Sequence, residues 1–244
     1  RGGGAQEIDG APGTAGDRLS REAFVTDLPF GAVGDGETEN DAAIAAAIAN
    51  CLVTGRDLYW PAGDYLTTAS IANFHDVNHV GPGRIIRGAD IWHITPVNDE
   101  TNIIYVGAPN LTANDGFSPS EPTNISTAAS RIRNIGAKAQ DGRWRIQFLA
   151  GTITSNGITI SDFPAFRNRF EIWGADVPLT STPTTVWDGA TSSPAYAIRG
   201  DWANDLPNIN LHFKNLKFIN WNQSGNAGGI VVWASGFVES QNIH

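Results

Sequence analysis

The feature that most limits the fold is a small pattern that returns at a fixed distance. Lys214-Asn215-Leu216 comes back as Gln241-Asn242-Ile243, 27 positions later, and Arg133-Asn134-Ile135 is a third copy. A turn Asn followed by an inward aliphatic, repeated at about one coil length, is the signature of a parallel β-solenoid, whose coils bury their apolar sides only by stacking. Ala62-Gly63-Asp64-Tyr65-Leu66-Thr67 and Ala150-Gly151-Thr152-Ile153-Thr154 form a second echo, each after an apolar strand. The segments between fit this pattern. HVGPGRIIRG, TNIIYVG, RWRIQFLAG, GITISDF, INLHFKNLKF and GIVVW are short, rich in Ile, Val, Phe and Thr, and bounded by Gly, Pro, Asn or Asp. In Leu211-His212-Phe213 the alternation points Leu211 and Phe213 inward and His212 outward. The expected fold is all-β, a parallel β-helix. Residues 110 to 130 and 177 to 195 read as long loops.

One stretch departs from the β pattern. PFGAVGDGETENDAAIAAAIANC places Gly31, Gly34 and Gly36 before an alanine-rich run. Ile44, Ala47, Ile48 and Cys51 then fall on one apolar helix face, which predicts a helix at about 39 to 53, with Thr38 as N-cap and Gly55 past its end. A glycine loop feeding a helix suggests a phosphate cradle, but the spacing is GxxGxG rather than GxGxxG, and no Lys follows before Cys51. Asp35, Glu37, Glu39 and Asp41 would repel a phosphate. The helix is followed by LYWPAGDYLT, two short strands broken at Pro61-Ala62-Gly63.

Taken in order, FGAVGDG, an acidic run, an Ala/Ile helix and LYWPAGDYLT resemble the entry of the pectate-lyase-like parallel β-helix family, most closely the versions carried by bacteriophage tailspikes and tail fibres. The resemblance covers about residues 29 to 68; GRWRIQFLAGTIT and FRNRFEIWGA resemble tailspike sequences less specifically. It implies a right-handed parallel β-helix whose entry helix caps the open end, and it transfers no catalytic residue. The expected organisation is a glycine-rich lead-in at 1–22, the entry and capping helix at 23–68, and coils with long loops at 69–244. Gly10, Gly13 and Gly16 open three triplets, read either as a flexible linker or as a collagen-like segment that would make a homotrimer. Arg1 without an initiator Met, and a strand-like end at His244, predict a piece of a longer chain.

The resemblance implies a receptor-binding protein of the virion tail. Its partners would be a bacterial capsular polysaccharide or lipopolysaccharide and other phage tail proteins. Three readings stay open: a depolymerase acting as glycosidase or lyase, an adhesive shaft, and a secreted polysaccharide enzyme. A net charge of -9 without a Lys/Arg run argues against nucleic acid, and no apolar run reaches the ~20 residues of a membrane span. Of the eight tryptophans, Trp173, Trp187, Trp202, Trp221 and Trp233 lie in the second half. They are read as sugar-stacking platforms with Arg199, or as core packing. Asp201, Asp205 and Glu239 are the candidate catalytic carboxylates. His75 and His79 stand at i, i+4, but in turn and strand context; no metal or cofactor is expected. Cys51 reads as a small core residue.

Overall fold

The computed structural model describes residues 21–97, 100–107, 114–133, 141–155, 157–159, 169–178, 181–189, 197–199, 210–221 and 238–243. The repeat that opened the sequence reading is one coil of a parallel β-helix. Lys214 pairs with Gln241 and Leu216 with Ile243 in register. Asn215, at φ 56°, turns the backbone through the left-handed region that Asn tolerates better than most residues. It bends β15 (Asn210–Ile219) so that residues 210–214 lie on one face of the coil and 216–219 on the next. The third copy is different: Arg133 ends a helix, and Asn134 and Ile135 lie outside the described residues.

Four strands stack in parallel on the first face before β16 (Val238–Ile243). They are β8 (Thr101–Val106), β9 (Arg143–Phe148), β12 (Arg169–Trp173) and the first half of β15. The second face stacks β10 (Gly151–Thr154), β13 (Thr185–Asp188) and residues 216–219. A third pairs β11 (Ile158–Thr159) with β14 (Ile198–Arg199). Strict alternation sends every second side chain inward. Ile104, Ile146, Ile172 and Phe213 form one buried column, and Ile153 and Trp187, with the partly buried Phe218, form another. Burying one such side chain is worth about 1.5–3 kcal/mol, so the columns, rather than any turn, hold the coils together. At the corner, Gly174 donates its N–H to the Lys214 carbonyl at 2.7 Å, and a Cβ there would lie 1.9 Å from the Asn215 oxygen.

Smaller coils precede these. β1 (Glu22–Phe24), β3 (Asp57–Tyr59) and β5 (His79–Val80) make one face. β2 (Asp35–Glu39), β4 (Asp64–Leu66) and β6 (Arg84–Arg87) make the other, and β7 (Asp90–His93) turns back antiparallel on β6. Gly63 and Gly151, the heads of the second sequence echo, each open a strand after a corner. Gly34 and Gly63 touch: a Cβ on Gly63 would lie 2.6 Å from the Gly34 oxygen. The two halves of the entry motif are therefore one contact.

Between β2 and β3 runs α1 (Asp41–Thr54), ended by Gly55 at φ 69°. Ile44, Ala47, Ile48 and Cys51 are its buried face, as their spacing required, and it leans on β1 and β3. Burial raises the Cys51 thiol pKa. The N-cap is Asn40, not Thr38, whose hydroxyl instead donates to Asp35 at 2.7 Å. Asn40 spends its side chain closing the entry loop: Oδ1 accepts the Val33 N–H at 2.7 Å, and Nδ2 donates to the Val33 and Thr38 carbonyls. Asp35 accepts the N–H groups of Glu37 and Thr38, which hold its carboxyl down to about 2. These loop amides already have partners, and they are carboxylates and amides of the chain itself.

Two expected loops contain elements. α2 (Ile125–Arg133) lies at the end of 110–130, and β13 lies inside 177–195. α2 is capped by Asn124, whose Oδ1 accepts the Thr127 N–H at 2.8 Å, and it buries Ile125, Ala128, Ala129 and Ile132.

Candidate functional site

The register of the long sheet sorts its outward side chains into rows. One row runs Ile103, Arg145, Glu171, His212, with Glu239 at the next register position, and the next row runs Tyr105, Gln147, Trp173, Lys214, Gln241. Neighbouring strands are about 4.8 Å apart, so consecutive members of a row can touch. Arg145 Nε donates to Glu171 Oε2 at 2.6 Å, and Arg169 Nη1 stands 3.6 Å from Oε1. The Arg145 guanidinium also lies 3.4 Å from the Trp173 ring centroid, with Lys214 Nζ at 4.7 Å. Asp176 pairs with Lys214 at 3.7 Å. His212 meets the Trp173 ring edge-to-face at 5.8 Å. The Trp173 indole N–H is buried with no acceptor among the described residues.

Glu171 is 3% exposed and His212 8%, although both occupy outward positions. For His212 this departs from the simple alternation expected of Leu211-His212-Phe213. A carboxylate and an imidazole thus occupy adjacent rungs, screened from water and beside an aromatic ring. Tyr105 closes the far end of the second row. Its hydroxyl donates to Asp90 at 3.0 Å, and burial with that carboxylate pushes its pKa up to about 12.

Of the residues singled out from the sequence, Glu239 stands in register beside His212, and Trp173 stands on the same face. Arg199 is in β14, on the third face of the coil. Asp201, Asp205, Trp202 and Trp233 lie outside the described residues, as does GIVVW. Trp187 and Trp221 are core residues, 0% and 6% exposed. Trp187 Nε1 donates to Ser155 at 2.8 Å, Trp221 Nε1 donates to the Trp187 carbonyl at 2.9 Å, and the two rings meet edge-to-face at 5.6 Å. Both therefore take the core-packing reading of the tryptophans rather than the sugar-stacking one. Arg145, Glu171 and His212 were not singled out. The available signal was the alternation in RWRIQF, RFEIW and NLHFK, which marks these polar residues as facing away from the core.

The His75/His79 pair is structural. His79 Nδ1 accepts the Trp60 indole N–H at 2.9 Å, so its Nε2 carries the hydrogen and donates to the Phe74 carbonyl at 2.5 Å. His75 Nε2 donates to the Asp115 carbonyl at 3.2 Å. Burial lowers the pKa of both, His79 to about 4. Among the described residues no group of three or more His, Cys, Asp or Glu is arranged to hold a metal.

Residues 25–144 match the family described as rhamnogalacturonase A/epimerase, pectate lyase-like. The match stops at Trp144, so Arg145, Glu171 and His212 lie beyond it. The chain is also similar to the crystal structure of the Dettilon tailspike protein, at 14% identity, with 95% of this chain and 39% of that chain covered and a TM-score of 0.29. No curated protein matches it. Residues 25–144 carry that sequence pattern, and parallel coils continue to Ile243, so the fold is a parallel β-helix.

Proposed function

We propose that the chain is part of a phage tailspike or tail fibre that binds and depolymerises a bacterial surface polysaccharide on the outward face of its long sheet. The observation that carries this is the row Arg145, Glu171, His212, Glu239 beside Trp173. A parallel sheet makes a straight, rigid platform, and a polysaccharide is a straight ligand with repeating rings. Trp173 would offer the exposed part of its ring to a sugar. Glu171, gripped by Arg145 and Arg169, would orient an attacking water. Glu239 would protonate the leaving oxygen. The two stand two rungs apart, about 9.5 Å in register. Two carboxylic residues so placed would supply the acid and base that glycoside cleavage uses.

The phage setting rests on the tailspike-like entry sequence at 29–68 and on the glycine triplets, which would bring three chains together. The helix α1 would close the end of the coils. A second reading, adhesion without cleavage, draws on the mutual pairing of Arg145, Arg169 and Glu171, which satisfies the row internally.

The test is incubation of the full-length protein with a panel of purified capsular polysaccharides and lipopolysaccharides. The products are followed by reducing ends, absorbance near 235 nm and anomeric NMR. New reducing ends without absorbance near 235 nm support the hydrolase. Unsaturated products would replace it by a lyase, and retained binding with neither product would leave only the adhesin.

A further inference from the structure

The antiparallel return of β7 onto β6 builds a second outward cluster, in the small coils. Ile85 and Trp92 are a buried pair, so the neighbouring pair, Arg84 and His93, faces out. His93 is held from two sides. The wholly buried Asn102 clamps its backbone: Oδ1 accepts the His93 N–H and Nδ2 donates to its carbonyl, both at 2.8 Å. Glu100 Oε1 lies 3.3 Å from His93 Nδ1, and Oε2 is fixed by the Val97 N–H at 2.9 Å. That contact favours hydrogen on Nδ1 and leaves a lone pair on Nε2. Among the described residues Nε2 has no hydrogen-bond partner, and it is not a buried atom. Arg84 gives Nε and Nη2 to the Asp64 carboxylate at 2.7 and 2.8 Å, which leaves the Nη1 hydrogens. On the same face Ile86 pairs with Ile91, which is 46% exposed. β9 adds Arg143, in register with Thr101.

The charges decide what such a site could act on. Burial lowers the His93 pKa against the pull of Glu100, so the imidazole is neutral at neutral pH and can accept a proton. Asp64 already neutralises Arg84, and Glu100 stands beside them, so an anionic substrate is disfavoured. Both carboxylates are engaged by a cation or an N–H, so neither is held protonated to expel a glycosidic oxygen. A base and a hydrogen-bond donor, without an acid, suit hydrolysis of an acyl ester. We propose that His93 and Arg84 hydrolyse a short neutral acyl ester, such as an O-acetyl group on a glycan. His93 Nε2 takes a proton from water as the water oxygen bonds to the acyl carbon. The carbonyl electron pair moves onto its oxygen, which Arg84 Nη1 binds. Collapse breaks the bond to the alcohol oxygen, which takes the proton from Nε2, and the carboxylic acid and the alcohol leave. Glu100 is the positioning residue. The inference stands on this cluster, not on the reading of the Glu171 row.

The test is hydrolysis by the full chain of 4-nitrophenyl acetate, followed by nitrophenolate absorbance, and of an O-acetylated methyl glucoside, followed by acetate release in proton NMR. The expected rate exceeds that of an equal concentration of free imidazole. It rises with pH to a plateau, with a midpoint below the 6.5 of an ordinary histidine. His93→Gln should slow it about 10²-fold. Glu100→Gln should move the midpoint down and Arg84→Gln should move it up, because the carboxylate raises and the guanidinium lowers the His93 pKa. A purely structural role for either residue would move neither midpoint. No rate above imidazole, a rate that survives His93→Gln, or one midpoint shared by all three proteins would each overturn the proposal. Should Arg84→Gln fail to fold, the Glu100→Gln shift decides. Acetate release is read apart from reducing ends, so failure here is distinct from failure of polysaccharide cleavage.

Discussion

The small coils at 22–93 and the long sheet at 101–243 are built alike and use their charges in opposite ways. Both stack parallel strands, and both turn corners at glycines that no side chain could replace. Where the small coils meet the 114–133 segment, ionisable groups point inward and satisfy one another. Asp115 is wholly buried. It takes both terminal nitrogens of Arg87 at 2.8 Å, and its own oxygens also accept the N–H groups of Ile71 and Phe117. Arg131 donates to the Asp115 and Asn114 carbonyls, and burial lowers its pKa to about 10. In the long sheet the charges face outward in rows beside an aromatic ring. The comparison teaches that a buried charge is not by itself a sign of function. The Arg87–Asp115 pair joins the 114–118 segment to the first coils, whereas Glu171, equally buried, is paired on the outward face of the sheet.

The largest effect should come from breaking the inward network. Asp115→Ala leaves the Arg87 guanidinium buried with Glu121 as its remaining acidic partner. Denaturant melts should show a loss of about 3–5 kcal/mol; a loss below 1 would mean that the network is not what joins the two parts. Next is the pH response of the same region. The unfolded chain binds a proton on His79 near pH 6.5 that the folded chain refuses until about pH 4. Stability is therefore full above pH 6.5 and falls as pH drops towards 4, by roughly 3 kcal/mol at most. Melting temperatures across that window should fall in the wild type and fall less in His79→Gln.

A corner of the long sheet comes next: Gly174→Ala, with its Cβ driven into the Asn215 carbonyl, should cost about 1–3 kcal/mol. Smallest in stability is Trp173→Ala on the outward face, expected within about 1 kcal/mol because its ring is only half-buried. The same change should weaken polysaccharide binding at least tenfold, as loss of an aromatic contact would. A Trp173 variant that lost stability but kept binding would reverse the contrast between the two regions.

Much of the fold was legible because a coil repeats its chemistry. Asn215 and Asn242 take the same place in the chain's path, and the register sets Lys214 on Gln241 and Leu216 on Ile243, one coil apart. The face of α1 could be read residue by residue, since nothing overrides a 3.6 period of Ile and Ala. Its N-cap could not, because Asn40 and Thr38 are both cap formers and only the tertiary contact with Val33 separates them. α2 was hidden in a polar stretch, although Ile125, Ala128, Ala129 and Ile132 carry a short helical period behind Asn124. The site was less legible. Trp187 and Trp173 look alike in sequence, and only the strand register turns one inward and the other outward. Glu171 and His212 lie 41 positions apart and become neighbours through a coil whose length no local pattern sets.

The central claim is that the outward row performs the chemistry, and its most direct test is the rate at which the full-length protein releases reducing ends from a polysaccharide it binds. Glu171→Gln and Glu239→Gln should each retain binding and lose cleavage by about 10²–10⁴-fold, the usual worth of a positioned acid or base. If both variants cleaved at the wild-type rate, the row would be a structural ion-pair ladder and the chemistry would lie elsewhere.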